Sequence, residues 1–252
     1  LLVKALRPLP ETYHDMSVGL KSRRRHLDLA MNLETRERFR RRSAIVRELR
    51  RYLDEAGFLE VETPALQPLY GGATARPFVT RHNALDMELY LRIADELYLK
   101  RCIIGGLDRV YEIAKDFRNE GMDRTHNPEF TMLEAYAAYW DYHDMMDLAE
   151  RLLRAVGERF GRDGEVTYGE HTVDFSRPFA RVRFLDALAE VVGADLAALD
   201  DAALRAEAAR HGVKVREDLG RDRVLDEMFS VLVEPQLIQP TFVMDHPKEL
   251  SP

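Results

Sequence analysis

Long apolar runs are missing from this 252-residue sequence. None approaches the roughly 20 residues that a membrane-spanning helix needs, and the first residues do not read as a signal peptide. Cysteine is almost absent: the single Cys102 excludes a disulfide framework and points to a reducing compartment, so a cytoplasmic location is expected. Neither GxxxxGK[ST] nor GxGxxG occurs, so phosphates are not cradled by a P-loop or a Rossmann turn. Internal repeats and low-complexity tracts are lacking too. The chain starts LLVKALRPLP without an initiator methionine, which is expected of a piece of a longer protein.

What is present fits a globular chain: 46% hydrophobic and 32% charged residues, enough for a real core. The net charge of -7 hides an asymmetry, with 14 lysines and arginines against 6 acids up to Tyr52 and 23 against 38 beyond it. KSRRRH (21–26) and RERFRRR (36–42) carry much of that excess. They read either as a phosphate-facing surface or as a solvated helix face.

Residues 1–33 read as a linker with few periodic positions, and 34–252 as one larger domain. Apolar residues from Thr35 to Ala56 recur at helical spacing and stop at Gly57. FLEV (58–61) reads as a strand ended by Thr63-Pro64, PLYGGATARPF (68–78) as a loop, and ELYLRI (88–93) as a strand. ADELYLKRCIIGG (94–106) then starts a helix with Asp95 as its cap. Two long strands, 109–118 and 129–140, flank the polar loop NEGMDRTHNP. A helix at 142–160, a small hairpin around VTY and HTVDF, a mostly helical region at 184–230 and a strand within 238–247 complete the chain. The helical region reads as an insertion or peripheral bundle. The expected class is α+β, with a central antiparallel sheet flanked by helices.

Side chains two apart on a strand share a face. Arg118 and Glu120 are therefore expected to point the same way, and so are Phe130, Met132, Glu134 and Tyr136. A carboxylate on such a half-apolar face costs several kcal/mol of desolvation unless a cation or several donors meet it. Glu134 and Tyr136 thus await a cationic ligand group, or an internal arginine–glutamate pair forms across the hairpin. The Arg118 fork suits a phosphate or carboxylate, Phe130 offers a stacking face, and Arg124 and His126 add charge in the loop.

These residues carry a resemblance. GFLEVETPAL (57–66), with Pro64, is similar to the first motif of the class II aminoacyl-tRNA synthetases, and FRNEGMDRTHNPEFTMLEAY (117–136) to the second. GGATARPF (71–78), HNALD (82–86), LYLRIADELYLKR (89–101) and GGLDRVYEI (105–113) resemble the lysyl-tRNA synthetase family in particular. The resemblance implies the class II catalytic fold and a two-fold homodimer. It also implies activation of L-lysine by ATP with Mg2+, then transfer to tRNA(Lys), with no membrane partner. Arg118 would bridge the amino-acid carboxylate and the α-phosphate. Glu120 would accept from the adenine amino group, His126 approach the phosphates, and Phe130 stack on adenine. Gly72 and Glu96 would define the α-amino end, and Glu134 and Tyr136 lie toward the ε-ammonium.

The third class II motif is not found up to Pro252, and the acidic metal ligands of the family are expected beyond that residue. KALRPLPETYH resembles the linker that follows an anticodon-binding OB domain. Two other readings stay open: a synthetase-like protein that attaches lysine or an analogue to another protein, and a non-catalytic regulatory or scaffold homologue.

Overall fold

Residues 17–250 are described in the computed structural model, in two compact units, one ending at Tyr139 and the other beginning at Trp140. In the first unit, α1 (Val18–Arg23) and α2 (Arg25–Met31) precede the long α3 (Leu33–Glu55). The expected linker 1–33 is thus helical where it is described; residues 1–16 lie outside the described part. A buried polar knot accounts for this better than apolar periodicity does. Asp28 accepts from Asn32 Nδ2 at 2.6 Å and Thr35 Oγ1 at 3.2 Å, and pairs with Arg25 Nη1 at 2.6 Å. Those donors hold its carboxyl below the usual range, Asn32 first among them.

α3 ends where expected, Gly57 following in a left-handed conformation with φ +82°. Part of its basic stretch is balanced one turn away: Arg38 pairs with Glu34 at 2.8 Å and Arg40 with Glu37 at 2.5 Å. For these residues the solvated-face reading holds.

β1 (Leu59–Glu60) pairs in parallel with β5 (Arg109–Phe117), which pairs antiparallel with β6 (Glu129–Ala137) across the polar loop. β2 (Leu66–Gln67), β3 (Val79–His82) and β4 (Met87–Leu91) form a separate antiparallel sheet in the order β2-β4-β3, and α4 (Glu96–Ile104) follows. Leu53, Phe58, Ile93, Leu99, Val110 and Tyr111 are buried in this unit. The Tyr111 hydroxyl donates to Asp54 Oδ1 at 2.9 Å, which satisfies a phenol buried among aliphatic neighbours.

In the second unit, α5 (Tyr142–Phe160) starts on a capping box: Asp141 accepts from the amides of His143 and Asp144, and the Asp144 carboxylate accepts from the Asp141 amide. β7 (Glu165–Tyr168) and β8 (His171–Asp174) form the expected hairpin. β9 (Ala180–Arg183) pairs in parallel with β10 (Thr241–Met244). Between them α6 (Phe184–Val192), α7 (Asp201–Arg210) and α8 (Arg221–Leu232) bury a core of their own, in which Phe184 stacks on Phe229 with centroids 4.4 Å apart.

The class is α+β, with helices beside small sheets. The sheet holding the polar hairpin is mixed rather than wholly antiparallel, because β1 runs parallel to β5. No described helix is long and apolar enough to cross a membrane.

Candidate active site

Directly opposed residues of an antiparallel pair project from the same face. The register sets Asp116 opposite Phe130, Ala114 opposite Met132, Glu112 opposite Glu134 and Val110 opposite Tyr136. Phe130, Met132, Glu134 and Tyr136 therefore share a face as expected, and two further acids join them. Arg118 and Glu120 do not share a strand face: β5 stops at Phe117, and both residues lie in the loop, the Glu120 amide donating to the Arg118 carbonyl at 2.9 Å. The Arg118 amide donates to Pro128 O at 2.9 Å, a contact that ends the ladder and turns the side chain back.

That turn brings the Arg118 guanidinium over the Phe130 ring, 5.2 Å from its centroid. Arg118 Nε donates to Ile93 O at 3.4 Å, so the Nη groups are free of that contact and present a fork beside an aromatic face. A negatively charged group attached to a flat ring fits both.

Glu134 lies at the other end of the face. Its Oε2 accepts from Tyr136 Oη at 3.0 Å, and its Oε1 makes a long 3.5 Å contact with the Asp95 amide. Burial first, and then the Glu134 charge, push the Tyr136 phenol upward, so it stays a donor. The internal arginine–glutamate pair forms one residue across: Arg92 Nη1 reaches Glu112 Oε1 at 2.8 Å. Glu134 itself has no ion-pair partner among the described residues.

Arg92 joins the pieces of the site. Nε donates to Lys115 O at 2.9 Å, and Nη1 lies 3.2 Å from both Thr63 O and Thr63 Oγ1. Its backbone carbonyl accepts from Phe117 N at 2.9 Å, and its amide donates to Ala65 O at 2.9 Å. One buried guanidinium thus locks Thr63, just before Pro64, to the end of β4 and the later part of β5.

Asp95 occupies the position before α4, but its side chain does not cap the helix. It is fully buried with Asp116, and none of their carboxylate oxygens has a hydrogen-bond donor. Arg92 Nη1 stands 3.1 Å from Asp95 Oδ1 and Nε 3.5 Å from Asp116 Oδ1, but its donors point to the carbonyls, Thr63 and Glu112. Burial, then the Asp116 charge, push the Asp95 carboxyl up to about 7. Burial also raises Asp116, with Arg92 opposing. The cap reading followed local spacing, whereas this burial comes from β5 and β6, far away in sequence.

Gly72 meets Glu96 as expected. A Cβ on Gly72 would lie 2.9 Å from Glu96 Cβ and 3.1 Å from Ala94 Cβ, and its φ is +86°. Both space and backbone exclude a side chain there. Under the roles that the family resemblance implies, Gly72→Ala is expected to displace the Glu96 carboxylate and raise the KM for the amino acid about tenfold, while the KM for ATP changes less than threefold, a local cost of roughly 1–2 kcal/mol. Steady-state kinetics with each substrate varied in turn would check this. Glu96 Oε1 accepts from Lys100 Nζ at 2.6 Å, so this acid already receives an ammonium.

In the polar loop Asp123 orders the turn, a role missed in the sequence. Its Oδ1 accepts from the amides of Thr125 and His126, both at 2.7 Å, and His126 Nδ1 lies 2.8 Å from Oδ2. The Thr125 amide first, and then the His126 side chain, hold this carboxyl well below the ordinary range. His126 therefore rests on an acid, and Glu120 is exposed; neither side chain makes a hydrogen bond or ion pair with Arg118.

Among the described residues one group of three acids, Asp95, Asp116 and Glu134, has ligand atoms within 4.8 Å of one another. The Arg92 guanidinium already stands against two of them, and a divalent ion there would meet that charge at close range. The group does not fit the magnesium of a nucleotide triphosphate.

Residues 17–252 match the family model of the tRNA synthetases class II (D, K and N). A lysine--tRNA ligase of Roseiflexus castenholzii is 55% identical over 254 residues, covering 100% of this chain and 52% of that protein. Lysine--tRNA ligases of Carboxydothermus hydrogenoformans and Listeria monocytogenes are each 52% identical over 254 residues, covering 100% of this chain and 52% and 51% of those proteins. The chain spans about half the length of the curated relatives it matches. With the mixed sheet, the arginine fork over an aromatic ring and the acid-bearing strand in place, the chain belongs to the class II tRNA synthetase family that comprises the D, K and N enzymes.

Proposed function

We propose that the protein containing this chain activates L-lysine with ATP to lysyl-adenylate and transfers the lysyl group to tRNA(Lys). One observation carries the substrate choice: Glu134 is half buried beside two further acids, with no ion-pair partner among the described residues. A long side chain ending in a cation meets that demand. Aspartate and asparagine, the other substrates of the family, bring no such cation.

The amino-acid carboxylate attacks the α-phosphorus in line. A carbon-linked oxygen–phosphorus bond forms, the bond to the bridging β-phosphate oxygen breaks, and pyrophosphate leaves with that electron pair. No proton moves in this step, so no protein base is required; positioning and charge stabilisation do the work. Arg118 holds the carboxylate and α-phosphate oxygens together while negative charge gathers between them. Phe130 stacks the adenine, Glu120 accepts from its amino group, and His126 turns toward the phosphates. Gly72, Glu96, Glu134 and Tyr136 form the lysine pocket. Magnesium is expected with the phosphates when ATP binds, and the described residues of this chain supply no ligand set for it.

The substrate reading is tested by calorimetry on the full-length protein with lysine, arginine, aspartate and asparagine. Lysine is expected to bind at least tenfold more tightly than the others. Tighter binding of arginine, aspartate or asparagine would overturn it.

The same reading includes a two-fold homodimer built on α3 and β1, where Leu59 is 52% exposed although the strand is otherwise part of the sheet. Sedimentation at micromolar concentration is expected to show a dimer, and a monomer would contradict it. A cytoplasmic location belongs to this proposal as well.

A further inference from the structure

The buried acids behind Glu134 have too few partners for their charge. Asp95 and Asp116 are completely buried, and no hydrogen-bond donor reaches any of their four carboxylate oxygens. The charged groups around them come from several segments: Arg92 after β4, Glu112 on β5, Arg118 in the loop and Glu134 on β6, with Tyr136 next to Glu134 and Glu96 of α4 acting on Tyr136. Among the described residues Arg92 is the one cation in ion-pair contact with the aspartates, and it also serves Glu112 at 2.8 Å. Two fully buried carboxylates whose oxygens lie within 4.8 Å, and which receive no hydrogen bond from the described residues, do not both ionise while a proton can bridge them.

We propose that Asp95 and Asp116 hold one proton between them while the pocket is empty and release it when a substrate ammonium reaches Glu134. The proposal rests on the lysine reading above and adds a positioning role for both aspartates. The proton makes one carboxyl a donor to the other, which satisfies the orphaned oxygens. The arriving ammonium then supplies the positive charge, the carboxyl ionises, and the proton passes to buffer. One positive charge enters and one leaves, so the buried charge balance is preserved. The backbone amide of Asp95 makes a long 3.5 Å contact with Glu134 Oε1, which ties Glu134 to the segment that carries Asp95. Consistent with this arrangement, burial and the neighbouring Asp116 charge bring Asp95 to about 7, where release occurs in the neutral range.

The sign follows from linkage. A complex that binds fewer protons than the free protein is favoured as pH rises, until the free pair is itself ionised. Lysine affinity is expected to rise about three- to tenfold between pH 6 and 8 and then level off. Calorimetry of lysine binding to the full-length protein at pH 7, in phosphate and in Tris, reads the proton directly through the difference in buffer ionisation heat. On the order of half a proton is expected to leave per lysine bound. Asp95→Asn and Asp116→Asn, isosteric and permanently neutral, are expected to abolish most of that release and flatten the pH dependence while lysine still binds. Lysine's own α-ammonium contributes equally to parent and variants, so the difference isolates the pair. Equal heats in both buffers for the parent, or unchanged release in both variants, would overturn the proposal. If neither variant folds, the parent's pH profile decides alone, a flat profile being contrary. Absence of lysine binding by the parent would instead overturn the substrate reading, and this proposal with it.

Discussion

Arg118→Ala is expected to lower ATP–pyrophosphate exchange by roughly 10²–10³-fold, the equivalent of losing a buried charged hydrogen bond of about 2–5 kcal/mol. Its place explains the size. The loop bond from the Arg118 amide to Pro128 and the Nε contact to Ile93 fix the guanidinium above Phe130, so little ordering remains to be done when a ligand arrives. Arg118→Lys is expected to recover less than tenfold, since a point charge neither forks around two oxygens nor stacks flat on the ring. The side chain is not part of the apolar core, so the melting temperature is expected to change little. Exchange within threefold of the parent for Arg118→Ala would show that charge develops elsewhere.

Glu134→Gln is expected to weaken lysine binding roughly 10–100-fold while ATP binding stays within about threefold. The amide keeps the shape, but the negative charge goes and one acceptor becomes a donor. One of its ends must face Tyr136 Oη, which needs an acceptor, leaving the NH2 toward Asp95 and the site of the incoming ammonium. Separate dissociation constants by calorimetry check it. Equal weakening of lysine and ATP would mean that Glu134 supports the hairpin as a whole instead of reading the side chain. The contrast with Glu112 is informative, because that acid sits directly opposite on the same face yet is already paired with Arg92. Opposed residues of identical type thus differ through one guanidinium, which pairs with Glu112 and leaves Glu134 to the proposed ligand.

The sequence and the structure agree best where the governing interactions are local. Residues 142–160 form α5 as expected, since its amphipathic pattern and the Asp141–Asp144 capping box both lie within the segment itself. Alternation along β6 placed Phe130, Met132, Glu134 and Tyr136 on one face, because strand periodicity is a property of the chain alone. The misreadings are non-local. Asp95 reads as a cap in its own segment, but the register of β5 and β6 and the burial of Arg92 make it a neighbour of Asp116 and Glu134. Alternation on β5 does put Glu112 and Asp116 on one face; only cross-strand register shows that it is Glu134's face. The helix at 25–31 escaped because polar contacts around Asp28 tie it to the start of α3, and apolar periodicity carries no trace of these. His126 and Glu120 remain assigned by resemblance, since His126 is held by Asp123 and the exposed Glu120 side chain makes no hydrogen bond to Arg118.

The most direct test of the central claim is ATP–pyrophosphate exchange by the full-length protein, with each of the twenty amino acids supplied in turn. In the proposed mechanism adenylate formation depends on the Arg118 fork and selection on Glu134, so one assay reads both halves of the site. Lysine is expected to stimulate exchange at least 10²-fold over every other amino acid, arginine included, consistent with about 3 kcal/mol of discrimination by a charge-matched pocket. Stimulation by aspartate or asparagine, or no stimulation by any amino acid, would contradict it.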